Sequence, residues 1–206
     1  MQVEWARHGQ NVANLTRTLS HRVFDGSLTS LGHQQAVQLA TALSVRAADA
    51  RPALLVCSPM RRARQTAEVI STHLGLPISF ELEDLRELDV GELDGRADET
   101  SWAIYNHVLS CWRSGETGAC FPDGENCLQL CQRLRRALAT VAAAGRGMPV
   151  LIVAHGASLR AALPYLTGTP DPGCDLRTGG IARLEVGTGP DGATSVSLVT
   201  WGVDPS

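Results

Sequence analysis

The stretch Gln2-Val3-Glu4-Trp5-Ala6-Arg7-His8-Gly9-Gln10-Asn11 changes character halfway. Up to Ala6 it is a largely apolar run of strand length. From Arg7 onward it is polar, carries a glycine and leads into a helix start. Val150–Ala154 repeats the pattern, ending in His155-Gly156-Ala157-Ser158. Ala53–Cys57 repeats it again, ending in Ser58-Pro59-Met60-Arg61-Arg62-Ala63, where a serine cap and a proline at the first helical position open a helix. Ile181–Val186 and Ser195–Trp201 read as two further strands. Gly32–Val45, Pro59–Leu74, Leu128–Val141 and Ala157–Tyr165 carry apolar residues at spacings of three and four and read as helices. Strands alternating with helices predict an α/β layered domain with a largely parallel sheet.

Composition narrows the function. The chain has 206 residues, 44% of them hydrophobic, and a net charge of −3, which excludes disorder and argues against nucleic-acid or polybasic membrane-surface binding. That length suits one domain over residues 1–206. All 18 basic residues are arginine. The absence of lysine removes Schiff-base chemistry, pyridoxal attachment and a lysine-bearing phosphate loop. The six cysteines form no CxxC pair or structural zinc spacing and read as small hydrophobes. No charged leader with an apolar run opens the chain, and no apolar stretch reaches membrane-span length, so the expectation is a cytoplasmic protein with reduced thiols.

In open α/β sheets, ligands sit beyond the carboxyl ends of the strands, and free N–H groups at helix starts there favour anions. Two histidines and several arginines thus gather where a phosphoryl group is welcome. A neutral imidazole can attack phosphorus, and guanidinium groups match phosphate oxygens bidentately. Nearby cations keep that imidazole unprotonated. A carboxylic acid is needed to protonate the leaving alkoxide. With enough fixed positive charge the reaction needs no metal or cofactor.

Five ordered motifs carry a resemblance. Arg7-His8-Gly9, Leu28-Thr29-Ser30-Leu31-Gly32-His33-Gln34-Gln35-Ala36, Ser58-Pro59-Met60-Arg61-Arg62-Ala63-Arg64-Gln65-Thr66-Ala67, Leu85-Arg86-Glu87 through Gly95, and Val153-Ala154-His155-Gly156 together resemble the signatures of the histidine phosphatase (phosphoglycerate-mutase-like) superfamily. The resemblance implies a three-layer αβα sandwich with a mostly parallel sheet. It implies that His8 takes the phosphoryl group, that Arg7, Arg62 and His155 hold its oxygens with Asn14, and that Glu87 protonates the departing oxygen and must therefore be a protonated acid in the resting enzyme. Gln10, Thr29, Gly156 and Arg22 are further candidate substrate contacts. Gln10 stands where many relatives carry Glu, and Asp94-Gly95 replaces their Glu-Gly. His21, His33, His73 and His107 match no motif.

Residues 90–126 interrupt the strand–helix rhythm and hold Trp102, Tyr105, Trp112 and Phe121, with a helix expected over Glu99–Trp112. This insertion reads as a partly helical cover over the site, with Trp102, Tyr105 and Trp112 serving chiefly as anchors. The mutases of the family carry a longer, more basic insertion, whereas this one offers only Arg96 and Arg113. A phosphatase for a small phosphomonoester follows. A cofactor-dependent mutase and a non-catalytic phosphate-binding module stand as alternatives, and a homodimer is compatible with all three.

Overall fold

The computed structural model describes residues 1–189 and 192–203. Six strands form one sheet in the order β3-β2-β4-β1-β5-β6, where β1 is Gln2–Arg7, β2 Leu54–Cys57, β3 Ile78–Glu81, β4 Val150–Ala154, β5 Ile181–Thr188 and β6 Thr194–Val203. The four strands from β3 to β1 run parallel, and β5 and β6 extend the sheet antiparallel. Helices α1 (Val12–Thr16), α2 (Ser30–Ser44), α3 (Arg61–Leu74), α4 (Glu99–Arg113), α5 (Cys127–Gly145) and α6 (Gly156–Thr167) complete the mixed α/β fold.

The alternation of side chains along each strand builds two cores. Leu55, Cys57, Leu151 and Val153 pack against Leu39, Leu43, Ala63, Ala67 and Ile70 of α2 and α3. Val3, Trp5, Val56, Ile152 and Ala154 face the other way, onto Leu130, Leu134, Leu138, Leu159 and Leu163 of α5 and α6. The central strands β1, β2 and β4 are therefore covered on both sides, which is why they read as continuous apolar runs. Glu4 is the exception on β1. It is buried and held by Arg46 at 2.7 Å and Arg183 at 2.9 Å.

Strand β3 went unread in the sequence. It has four residues, alternately half-buried and exposed, and lies at the sheet edge, so it carries no apolar run to detect. The helix after β2 also differs from expectation. It begins at Arg61 with Met60 in the cap position, and no side chain caps it. The Ser58 hydroxyl lies instead 2.8 Å from the His155 ring. No helix among the described residues is long and apolar enough to cross a membrane.

Candidate active site

Strand order places the candidate residues together. β1 pairs with β4 so that Arg7 lies opposite Ala154, and β4 pairs with β2. The backbone N–H of His8 then donates to Ala154 O (2.9 Å), and that of Ser58 to Val153 O (2.9 Å). Three neighbouring strand ends thus deliver His8, His155 and the start of α3 to one point.

His8 is buried, and its protonation follows from its partners. Nδ1 lies 2.7 Å from the Gly9 carbonyl, which can only accept, so Nδ1 carries the hydrogen. Arg62 Nε donates to Nε2 at 3.0 Å, so Nε2 presents a lone pair. Burial, then the charges of Arg62 and Arg7, hold the imidazole well below its usual range, against the opposing pull of the Gly9 carbonyl. His155 sits edge-on to His8, ring centres 5.3 Å apart. Burial first, then Arg62 and His8, likewise keep it well below the usual range. Its Nε2 lies 2.8 Å from Ser58 Oγ, and that same Oγ accepts from Met60 N (3.3 Å). Trp5 Nε1 donates to the His155 carbonyl at 2.9 Å and ties its backbone to β1.

Both imidazoles are neutral in the folded protein, whereas in the unfolded chain each takes up a proton below pH 6.5. The unfolded state then binds more protons as pH falls, so stability is lost below that value, by up to about 1.4 kcal/mol per pH unit for each group. The urea midpoint is expected to drop between pH 7 and pH 5, and less steeply in a His8→Ala/His155→Ala double variant. Equal slopes for the two proteins contradict the assignment.

Arg62 is buried and anchored at its far end by Ser20, whose Oγ accepts from Nη1 (3.0 Å) and whose carbonyl accepts from Nη2 (3.2 Å). Asp25 lies 3.5 Å from Nη1. The loop that carries Ser20 and Asp25 is tied down by Asp94, whose carboxylate accepts the backbone N–H groups of His21, Arg22 and Val23 at 2.8, 2.5 and 2.6 Å. Arg7 Nη1 donates to Leu176 O (2.6 Å). A side chain at Gly156 would bring its Cβ to 2.8 Å from Arg7 Cδ, so glycine there leaves room for the arginine. Gly9 serves differently. A Cβ on it would sit 2.3 Å from Gly32 O, so the close approach it permits is that of the first turn of α2.

Glu87 Oε1 accepts from Ser158 N (2.7 Å), in the first turn of α6, and from Leu88 N (3.1 Å). Oε2 makes no hydrogen bond among the described residues. The Glu87 carbonyl accepts from Arg133 Nη2 (3.1 Å) and lies 3.0 Å from His21 Nδ1. Arg133 also binds the carbonyls of Asp84 and Arg86, both at 2.8 Å, and pairs with Glu125 through two N–H groups at 2.7 and 2.8 Å. Glu125 accepts from Asp89 N (2.9 Å), and its own N–H donates to Asp89 O (2.9 Å). One ion pair thus grips the chain on both sides of Glu87. Glu125→Ala removes one partner of a mostly buried pair and is expected to cost about 3 kcal/mol of stability. A urea-unfolding difference under about 1 kcal/mol contradicts that role for the pair.

Arg7, His8, Asn14, Arg62 and Glu87 line a cavity of about 780 Å³. His155 lies behind His8, fully buried. Asn14 Oδ1 accepts from Asn11 N in a reciprocal cap of α1. Its amide hydrogens are not used by the protein among the described residues. Gln10 and Thr29 stand outside the cavity lining. Thr29 caps α2 by accepting from Gly32 N (3.0 Å) and donates to Gln10 Oε1 (2.9 Å), which makes them a brace for the loop after β1. Gly156 acts through the room it leaves Arg7, and Arg22 is exposed on the loop held by Asp94. Sequence reasoning missed Ser20, Ser58, Arg133 and Glu125, and the structure adds Arg160 and Asp175 to the cavity wall. Arg7 Nε, His21 Nε2, His155 Nδ1, Ser158 Oγ and Thr200 Oγ1 are the buried side-chain atoms without a hydrogen-bond partner among the described residues, and of these residues Arg7 lines the cavity, where an oxyanion would satisfy it. No group of three or more His, Cys, Asp or Glu side chains able to hold a metal occurs among the described residues.

Comparison with known proteins gives the same family. A family model described as "Histidine phosphatase superfamily (branch 1)" matches residues 5–196. The chain is 33% identical over 170 residues to "Probable phosphoglycerate mutase GpmB" of Citrobacter koseri, covering 82% of this chain and 76% of that protein. It is similar to a mycobacterial glucosyl-3-phosphoglycerate phosphatase solved with VO3, with a TM-score of 0.82 at 25% identity over 98% of this chain and 99% of the other. Bacillus stearothermophilus YhfR shares the fold, with a TM-score of 0.80 at 23% identity over 99% and 98% of the two chains.

Proposed function

The chain belongs to branch 1 of the histidine phosphatase superfamily, and from that premise we propose that it is a metal-independent phosphatase that hydrolyses a phosphomonoester through a phosphohistidine on His8. The observation that carries this reading is the state of the His8 ring, with Nδ1–H spent on the Gly9 carbonyl and the Nε2 lone pair accepting from Arg62 Nε, a hydrogen that Arg62 turns to a phosphate oxygen as Nε2 attacks.

The steps follow from the geometry. Nε2 attacks phosphorus as the phosphorus–oxygen bond to the alcohol breaks. Glu87 gives its proton to the departing oxygen. Two backbone N–H groups hold Oε1, so the proton is assigned to Oε2. The charge that grows on the equatorial oxygens meets Arg62 and Arg7, whose Nε lacks a protein partner among the described residues, while His155 packs edge-on behind the His8 ring. Asn14 adds an amide donor. The imidazole, now phosphorylated on Nε2, keeps its Nδ1–H on the Gly9 carbonyl. Glu87, left as the carboxylate, takes a proton from water as that water attacks phosphorus, and the nitrogen–phosphorus bond breaks to free phosphate and restore the acid.

The same half-reaction serves a mutase if the phosphohistidine passes to a second alcohol, and the relative from Citrobacter koseri keeps that reading in view. Charge favours hydrolysis. Of the two arginines in the cover segment, Arg113 lines the cavity and Arg96 does not. A protein that must retain a bisphosphorylated donor needs more cations than that. The test is turnover of p-nitrophenyl phosphate in EDTA, run beside a phosphoglycerate isomerisation assay with 2,3-bisphosphoglycerate. Release of phosphate with no stimulated isomerisation is the expected pair of results. Isomerisation that depends on the bisphosphate would replace the phosphatase reading with the mutase one, and inertness in both assays would leave a phosphate-binding module.

A further inference from the structure

The cavity is far larger than a phosphoryl group, and its outer half has a character of its own. Beyond Glu87 it is walled by Tyr105, Leu109 and Trp112 of α4 and by Ala161, Pro164 and Tyr165 of α6. The polar atoms on these rings are already occupied, with one exception. Trp112 Nε1 donates to Ala119 O (2.7 Å), and the Tyr165 hydroxyl donates to the Trp112 carbonyl. The neighbouring Trp102 spends Nε1 on Arg17 O (2.7 Å). The Tyr105 hydroxyl has no hydrogen-bond partner among the described residues. Its ring is clamped between Phe121, stacked at 5.5 Å, and Trp102, edge-on at 5.2 Å, so its position is set by packing. Burial, then the negative charges of Glu87 and Asp175, push its pKa up, which keeps the phenol an O–H donor. Apart from the residues around His8, the charged side chains of the lining balance and offer no net charge to a second anion. Arg160 is held by Asp171 (2.9 Å) and Asp175 (2.7 Å), and with Arg113 two cations face two carboxylates.

We propose that the alcohol released is bulky, uncharged and ring-bearing, with its ring laid along the Tyr105 wall while the phosphoryl group sits at His8. A pinned aromatic ring and an apolar wall reward the burial of a ring, and the free Tyr105 hydroxyl and the Asp175 carboxylate supply polar contacts for substituents on it. A small phosphoester bearing a carboxylate would leave that wall uncovered and meet no unbalanced cation. This assignment rests on the phosphatase reading only for the direction in which the ligand enters.

Non-hydrolysable phosphonates separate the two claims, because their binding does not depend on turnover. Titration calorimetry would compare methylphosphonate, 1-naphthylmethylphosphonate and 3-phosphonopropanoate on the intact protein. The naphthyl ligand is expected to bind about 30-fold or more tightly than methylphosphonate, and the carboxylate ligand no more tightly. Tyr105→Ala should reduce the naphthyl advantage to about 5-fold or less, with methylphosphonate affinity unchanged, while Tyr105→Phe keeps the advantage. Should Tyr105→Ala not fold, Ala161→Phe, which fills the same wall, is expected to weaken the naphthyl ligand alone. Three phosphonates within twofold of one another, the carboxylate ligand binding tightest, or a variant that weakens all three equally would overturn the proposal. Selectivity for the naphthyl ligand in a protein that does not turn over p-nitrophenyl phosphate would sustain the pocket assignment and refute the phosphatase.

Discussion

Replacing His8 with alanine lowers kcat/KM for p-nitrophenyl phosphate by about 10⁴-fold or more and leaves the protein folded. The size of the effect follows from the role, because no other group can form the covalent intermediate. His155 is the nearest imidazole, but it lies behind His8, fully buried and outside the cavity lining. The fold survives because the His8 side chain bonds only the neighbouring Gly9 carbonyl and Arg62, and Arg62 keeps Ser20 as its anchor. A His8→Ala protein with more than about a tenth of the original activity removes the covalent route altogether.

The second large effect concerns Glu87. Glu87→Gln keeps the shape and the two backbone contacts to Oε1 but cannot supply or accept the proton. For an alkyl phosphate, whose leaving alkoxide is strongly basic, a loss of about 10²–10³-fold in kcat/KM is expected. For p-nitrophenyl phosphate, whose leaving group departs without a proton, the expected loss in kcat/KM is about tenfold or less. Water attack still lacks its base, so release of nitrophenol should show a burst followed by slow turnover. That split between substrates distinguishes proton donation from a structural contribution at the start of α6. Equal losses for both substrates, with no burst, would mean that Glu87 acts through structure alone.

The residues that meet in this site were readable where chemistry and chain position coincide. Arg7, His8 and His155 follow apolar strands directly, and Arg62 opens a helix after a third, so a parallel sheet with those strands adjacent brings them together. What the chain could not disclose was partnership over distance. Ser58 looked like a helix cap by its place before Pro59, yet its hydroxyl bonds His155, 97 positions away. Gln10 and Thr29 lay near the strand end and passed for substrate contacts, whereas local hydrogen bonds turn them toward each other and the start of α2. The pairing of Arg133 with Glu125 places two ordinary surface-type residues around Glu87, and neither spacing nor residue type announces it. In the cover segment the three aromatics looked alike as anchors. The two tryptophans do bond the backbone through their indole nitrogens, while Tyr105 keeps its hydroxyl free beside the cavity. Edge strand β3 escaped because half its side chains face solvent.

A phosphoryl group held on nitrogen is stable in alkali and labile in acid, and this makes the central claim directly measurable. The protein is mixed with p-nitrophenyl phosphate, quenched in base within the first turnover and mapped by peptide mass spectrometry, with Glu87→Gln included to slow the second step. The expected result is a single alkali-stable, acid-labile phosphate on His8. Phosphate on another residue, or steady turnover with no labelled peptide in either protein, would contradict the account.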